Sequence, residues 1–407
     1  MTIDDKPRMC ERSVAFFSND TILKKSKFPP IITIKMALAE LILQNLFSFV
    51  LLISFIVFIH EFGHFYVARL CGVKIEEFAI GFGPELLGFT DKKGTRWKIC
   101  PIPFGGYVKM FGDKNGASIP DEEAVSKMSA EDKKISFIGK NVFQRIAIVG
   151  AGPLANFLLA IVIFTFLLRV NGLVTTPAVI GEVMVDGAAF EAGLQSGDKI
   201  LAIDAQEIDG FDQIREVVSR SADKTLNLKV SRNGEIISVV VTPKIRVNKD
   251  IFGEEVKVGM IGVMGSEGEH KILNLGESFV EANKETYHTS IAIFKAIGEL
   301  VTGKRSVEEL GGPIKIAKYT GKTVEMGFLV VMWFVAMISV NLGVMNLLPV
   351  PVLDGGHLFY YIIEIIRGKP LSQKIQKIGF QIGFSLVITL MIFTTFNDIR
   401  NLIVGVN

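Results

Sequence analysis

His60, Glu61 and His64 stand in the run His60-Glu61-Phe62-Gly63-His64. On a helix, residues four apart lie one turn apart on one face, so the two imidazoles can share one metal ion. Glu61 sits near that face and can reach a water on the metal without being a ligand. Zinc lowers the pKa of such a water to about 7, and a carboxylate beside it suits a general base that later returns the proton to a leaving amine. Only five histidines occur in 407 residues, so chance rarely gives this spacing; the bland alternative is a packed histidine pair. A catalytic zinc takes three protein ligands and keeps one position open. The candidate third ligand is Asp354, in Asn346-Leu347-Leu348-Pro349-Val350-Pro351-Val352-Leu353-Asp354-Gly355-Gly356-His357. Read locally, Asp354 fits a metal ligand and a helix cap equally well, and His357 is a rival ligand.

The elements that must position these groups are apolar. The chain is 49% hydrophobic with a net charge of +2, which points to a membrane protein and away from nucleic acid or another strong polyanion. Four apolar stretches, Leu41 to Ile59, Ile146 to Leu168, Met326 to Leu353 and Ile378 to Phe396, each reach the roughly 20 residues that cross a bilayer core as a helix. The histidines and Glu61 stand at the end of the first, where ionisable groups are costly and usually functional. The prolines and glycines closing the third break helical hydrogen bonding. Such backbone is tolerated at membrane depth only inside protein or beside a water-filled cavity. The second opens with Gly150-Ala151-Gly152-Pro153 and then Asn156. Small residues let helices approach closely, and Asn156 is expected to hydrogen-bond across the bundle as packing glue. Cys10, Cys71 and Cys100 lack the spacing of a disulfide framework or a cysteine metal cluster.

The connections follow charge and period. Lys and Arg are frequent from Arg69 to Arg145, and Arg367, Lys369, Lys374 and Lys377 mark the last connection. Positive loops favour the cytoplasmic side, which places both termini and the region from Asn171 to Lys322 outside. Short apolar runs there (Ala178 to Ile180, Ile200 to Ile203, Leu226 to Val230, Ile236 to Val241) read as strands. Asn233-Gly234 marks a hairpin turn, and Asp212 to Ser219 reads as a helix. Ile291, Phe294, Ile297 and Val301 fall at helical spacing, giving an amphipathic helix either on the membrane surface or against the strand domain. Trp97 to Cys100 and Tyr107 to Met110 read as a hairpin beside the membrane site. Residues 1–35 are polar and are expected to be a disordered tail or an over-called start, with Met36 as an alternative.

Three signatures together, H-E-F-G-H, G-P-L-A-N and N-L-L-P-V-P-V-L-D-G, resemble the site-2 protease family of intramembrane zinc metalloproteases (peptidase family M50), in the order of the bacterial regulator-of-sigma-E protease type. Ala192-Gly193-Leu194-Gln195-Ser196-Gly197-Asp198-Lys199-Ile200 makes Pro177 to Pro243 similar to a circularly permuted PDZ domain. The resemblance implies a polytopic α-helical membrane protein of about four transmembrane helices. It would carry a membrane-associated β-hairpin element and an inserted periplasmic α+β PDZ domain.

The resemblance further implies zinc on His60, His64 and Asp354, Glu61 as the base, and Asn346 as a substrate-positioning or oxyanion residue. Gly106, Tyr107 and Val108 would lie on the β element that takes the substrate as an extended strand, with Gly152, Pro153 and Asn156 structural in the membrane. Partners would be single-span membrane proteins, the lipid bilayer, and a peptide or pre-cleaved substrate end at the PDZ domain. The place would be a bacterial inner membrane with the active site toward the cytoplasm. The partition is 1–35 extension, 36–68 first span, 69–143 β-element region, 144–170 second span, 171–250 PDZ domain, 251–324 connector, 325–357 third span, 358–375 connection, 376–397 fourth span and 398–407 tail. Departures are the single PDZ-like domain, where enterobacterial relatives look to have two, and the N-terminal extension. Intramembrane His, Glu and Asp would also suit an ion pathway, and a silent scaffold would use the PDZ domain alone. Neither requires H-E-x-x-H.

Overall fold

The computed structural model describes residues 30–113, 128–249, 255–303 and 310–404, with 30–44, 103–104, 249, 255–256 and 402–404 described by backbone alone. The expectation for residues 1–35 falls largely outside these, as does Cys10. In chain order, the first helix is α1 (Pro30–Leu70), followed by strands β1 (Ile75–Phe82), β2 (Leu87–Thr90), β3 (Arg96–Ile99) and β4 (Ile102–Met110). Helices α2 (Ala130–Ile135) and α3 (Val142–Asn171) come next. The strand-rich region then holds β5 (Leu173–Thr175), β6 (Ile180–Val183), α4 (Ala188–Glu191), β7 (Lys199–Ile203), β8 (Gln206–Glu207), α5 (Phe211–Arg220), β9 (Leu226–Arg232), β10 (Glu235–Val241), β11 (Lys244–Lys249), β12 (Glu255–Met260), β13 (Val263–Gly265) and β14 (Glu269–Lys271). Last come α6 (Leu275–Val301), α7 (Pro313–Met326), α8 (Phe328–Leu347), α9 (Asp354–Arg367) and α10 (Gln373–Val404).

Among the described residues four segments are long and apolar enough to cross a membrane: Asn45–Leu70, Val142–Asn171, Phe328–Leu347 and Gln373–Asn401. α1, α3 and α8 share a core in which Ile56, Ala160, Ala336, Val340 and Val344 are fully buried. Close approach is a sequence property here. Gly63 of α1 lies so near the Ala151 carbonyl that a Cβ would overlap it, and Gly343 of α8 rests on the Phe157 ring. α3 starts with a capping box, Asn141 and Gln144 each accepting the other's backbone N–H.

The strands between α1 and α3 depart from the expected hairpin. Their order is β2-β3-β1-β4, with β1 parallel to β3 and antiparallel to β4. β3 and β4 are therefore separated by β1 rather than paired. Gly81, at a positive φ and within overlap distance of the Cys100 and Ile102 carbonyls, lets β1 pass close beneath the Pro101 turn. The sheet has no independent core: Phe78, Val108 and Met110 pack on Phe65 and Ala68 of α1 and Ile148 and Val149 of α3.

The second strand region does have its own core. Ile180, Ile200, Leu228, Val230 and Ile214 are essentially buried, in a cluster drawn wholly from residues 178–263. β9 and β10 form the hairpin that Asn233-Gly234 announces, both residues at positive φ. The sequence partition ended this domain too early. β13 pairs with β6, and Ile261 is buried in the cluster, so 255–265 belong to it and not to the connector. β5 and β14 pair where the chain enters and leaves.

Of the two placements expected for the amphipathic helix α6, packing against the strand domain is not seen. Its face of small residues (Ser278, Ala282, Thr286, Thr289) is buried, and the helix packs along α3 and α8 rather than on the strand domain. The Ile291, Phe294 and Val301 row is left exposed. The third and fourth spans are bounded differently too: the third helix ends at Leu347, and α9 occupies much of the expected connection 358–375.

Candidate metal centre

α1 runs unbroken through the H-E-x-x-H segment to Leu70, so His60 and His64 lie one turn apart on one face, both buried. Their Nε2 atoms are 3.3 Å apart. The third group arrives from far along the chain. α8 stops at Leu347, the chain turns through Pro349 and Pro351, and α9 begins at Asp354. The turn is tight: Gly355 and Gly356 lie against the Leu347, Leu348 and Val350 carbonyls with no room for a Cβ. Leu353, not Asp354, occupies the N-cap position. The Asp354 carboxylate instead faces the histidines, with Oδ2 3.1 Å from His60 Nε2 and 3.4 Å from His64 Nε2. Asp354 is therefore not the helix cap, and its carboxylate belongs to a group that could hold a metal.

The donor set fits zinc. Ligand atoms around a tetrahedral zinc at about 2.0–2.1 Å stand roughly 3.3 Å from one another, close to the three separations seen. Asp354 Oδ2 is buried without a hydrogen-bond partner, an expensive arrangement unless a cation joins it. Among the described residues this is the only group of three or more His, Cys, Asp or Glu side chains so gathered. His357 is not in the group, although it lines the same cavity. Cys71 and Cys100 are free thiols outside it.

That cavity, about 190 Å³, is lined by His60, Glu61, His64, Asn346, Asp354 and His357, and by Gly106, Tyr107, Val108 and Met110 of β4. The expected positioning residues therefore come together at one place. Their contributions differ. Gly106 lies over the Glu61 side chain, where a Cβ would press on Glu61 Cγ, Val57 and the Ala79 carbonyl. Tyr107 donates its hydroxyl to Glu77 at 3.0 Å, and Lys98 pairs with the same carboxylate at 2.7 Å. Burial and the Glu77 carboxylate push the Tyr107 phenol up to about 12, so it stays a neutral donor. The Val108 side chain is buried in the core beneath the sheet. β4 is an edge strand, with unpaired main-chain groups along one side.

Three contacts were not legible beforehand. His64 Nδ1 lies 2.9 Å from the Ile148 carbonyl, and a backbone acceptor leaves no mark in a sequence. Gly152 faces both imidazoles so closely that a Cβ would overlap His64 Nε2 and His60 Cε1, so its smallness serves the metal site as well as helix packing. Asn156 does hydrogen-bond across the bundle as expected, and the partner is the His60 ring of α1. Its polarity within a span was the available signal, but its partner was not. Pro153, buried in α3, has no N–H for the carbonyl of Val149, which also lines the cavity.

Membrane-crossing helices joined by two histidines, an aspartate and an adjacent glutamate define a membrane metalloprotease. The chain belongs to peptidase family M50, which it matches over residues 48–390. A protein of Agrobacterium fabrum that carries the name of a zinc metalloprotease is 41% identical over 359 residues, covering 87% of this chain and 95% of its own length. One of Rickettsia conorii with the same kind of name is 39% identical, covering 88% and 99%. The metalloprotease MmpA of Caulobacter vibrioides is 34% identical over 378 residues, covering 87% and 95%. Among solved structures, the PDZ domain of an SdrC-like protein from Listeria innocua aligns with 23% of this chain and 98% of that chain, at 19% identity and a TM-score of 0.19. The enzyme is thus an integral membrane zinc metalloprotease.

Proposed function

We propose that this protein is an intramembrane endopeptidase that cleaves transmembrane segments of single-span membrane proteins, such as an anti-sigma factor or a remnant signal peptide. The observation that carries the reading is the position of the donor set. His60 and His64 lie within one candidate span, and Asp354 opens α9 just beyond the turn that ends another, around a cavity that a strand edge adjoins.

His60, His64 and Asp354 would hold zinc, which supplies Lewis acidity and makes water nucleophilic near neutral pH. Glu61 takes the proton from the attacking water and delivers it to the leaving amide nitrogen, so the peptide bond breaks with no net proton change. Asn346 lines the cavity, and its amide would be the donor for the developing oxyanion. A helical substrate hides its carbonyls in its own hydrogen bonds and must unwind before attack. Addition to the free edge of β4, at Gly106 to Val108, replaces those bonds with main-chain ones.

The Lys- and Arg-rich connections put the metal site toward the cytoplasmic side of a bacterial inner membrane and the strand-rich domain in the periplasm. The Ala192 to Ile200 run makes that domain a PDZ module. It would take a peptide or the pre-cleaved end of a substrate and admit only trimmed chains. The test is reconstitution of the purified enzyme with a labelled single-span substrate. Cleavage within the span by the wild type, and none by Glu61→Gln, is expected. Cleavage outside the span, or equal cleavage by both, refutes the reading. Comparing membrane proteomes of wild-type and Glu61→Gln cells then names the substrates as accumulating fragments.

A further inference from the structure

Asn156 is wholly buried in α3. Its Nδ2 lies 3.1 Å from His60 Nδ1, while its Oδ1 has no hydrogen-bond partner among the described residues. Its backbone carbonyl accepts a bond from Ser339 Oγ of α8 at 2.9 Å. One residue of the second span thus touches a metal ligand on the first and the helix that leads to Asp354. Seven residues, two helical turns, separate Ser339 from the cavity-lining Asn346.

The ring chemistry decides what Asn156 must do. His60 Nε2 is the nitrogen turned toward His64 and Asp354. An imidazole that gives Nε2 to a metal carries its proton on Nδ1, and that N–H requires an acceptor. An amide NH₂ is not one. The two ends of an asparagine amide are nearly isosteric, and turning the group over places Oδ1 opposite Nδ1 without moving the backbone. The neighbouring ligand shows the same arrangement complete, with His64 Nδ1 against the Ile148 carbonyl at 2.9 Å.

We propose that Asn156 is the positioning residue of the metal ligand His60. Its side-chain oxygen accepts the Nδ1–H of His60, fixing tautomer and ring plane. Its main chain, through Ser339, keeps that ring in register with the span that delivers Asp354. The proposal rests on His60 being a zinc ligand.

Chelator competition on the full-length purified chain tests both. Asn156→Ala and Asn156→Leu are expected to weaken zinc binding about 10–100-fold, as loss of an outer-shell partner does. Asn156→Asp, which offers only acceptors when ionised, is expected to hold zinc within roughly three-fold of wild type or more tightly. Thermal unfolding of the metal-free variants separates loss of the fold from loss of the ligand geometry. Wild-type zinc affinity in Asn156→Ala overturns the proposal, as does an Asn156→Asp variant that folds but is as weak as Asn156→Ala. Undiminished zinc in His60→Ala would remove the ligand assignment itself. Imidazole-nitrogen NMR of the zinc-loaded wild type needs no variant: a protonated Nδ1 on His60 is expected, and a bare one refutes the role.

Discussion

The protein uses β-structure twice, to different ends. The sheet β1–β4 has no core of its own and is folded onto α1 and α3, so its edge strand is fixed against the metal cavity. The domain of residues 178–265 closes its own core and contributes no residue to that cavity. A strand that must meet a reacting group has to be built into the body that holds the group. A domain that only selects what arrives can stand apart. On the proposed function, the sheet would belong to the catalytic apparatus and the domain would be an accessory to it.

The largest expected effects lie on the first side. Glu61→Gln should lower cleavage by about 10²–10⁴-fold, the usual contribution of a positioned general base, with zinc content unchanged. Asp354→Asn should lose both zinc and cleavage; full zinc in that variant would remove Asp354 from the ligand set. Gly106→Val should retain zinc and lose activity, because a side chain there strikes Glu61 and the Ala79 carbonyl. Metal analysis beside a cleavage assay checks all three. Activity surviving in Gly106→Val would break the link between sheet and site.

Removing the other region should do less. β5 and β14 pair at Thr175 and Glu269, so the chain enters and leaves the domain at adjacent points. Replacing residues 177–267 by a short Gly/Ser linker is expected to leave a folded, zinc-loaded enzyme that cleaves untrimmed substrates as readily as trimmed ones. Loss of zinc in this variant would show the two regions to be one cooperative body. Preference for trimmed substrates that survives the deletion would assign selection elsewhere.

How far this contrast was legible depends on how local each signal is. Hydropathy gave the spans, and four-residue spacing gave the two histidines, because helix geometry makes both local properties. Asp354 needed the three signatures together, since nothing nearby separates a ligand from a cap. The Asn233-Gly234 hairpin was readable from its turn chemistry. The Trp97 and Tyr107 strands were recognised, but they are not each other's partners. Sequence proximity favours a hairpin, whereas a parallel β1–β3 pair is a non-local choice made by packing on α1. The domain end is not legible for the same reason, because Ile261 returns to a core begun some 80 residues earlier. Which face of α6 is buried is not legible, because small residues, not its large apolar row, fit against α3 and α8.

Each β region also contains a carboxylate held by one arginine, which permits a matched perturbation. In the accessory domain, Asp198 accepts from Arg232 Nε and Nη2 at 2.8 and 2.7 Å and from the Gln195 N–H at 2.8 Å. Its side chain is 1% exposed. Asp198→Ala removes the two charge-assisted bonds from Arg232 and the one from the Gln195 N–H, leaving Arg232 only its bond to the Gly193 carbonyl and water, and should destabilise that domain by about 1–3 kcal/mol. Zinc affinity should not change. A parallel fall in zinc binding would contradict the independence of the two cores.

The smallest effect is a pH dependence confined to the sheet. Burial works to raise the Asp91 carboxyl, but bonds from Arg69, the Thr95 N–H, Trp97 Nε1 and the Lys93 N–H outweigh it and hold the group down to about 2. A carboxyl near 3.9 in the unfolded chain and lower in the folded one stabilises the fold above that unfolded value. The contribution is lost as pH falls through the folded pKa, so the window runs from about pH 4 down to about 2. Asp91→Asn should remove this part of the acid sensitivity. Trp97 reports on it directly, because its indole bonds Asp91 and packs on Phe78 and Phe89. In a Trp333→Phe background, thermal unfolding followed by Trp97 fluorescence should show the parent losing melting temperature faster than the Asp91→Asn variant across that window. Parallel curves would mean that Arg69 and Asp91 do not anchor the sheet to α1. The strand edge at the metal cavity would then be held by apolar packing on Phe65 and Ala68 of α1 and Ile148 and Val149 of α3.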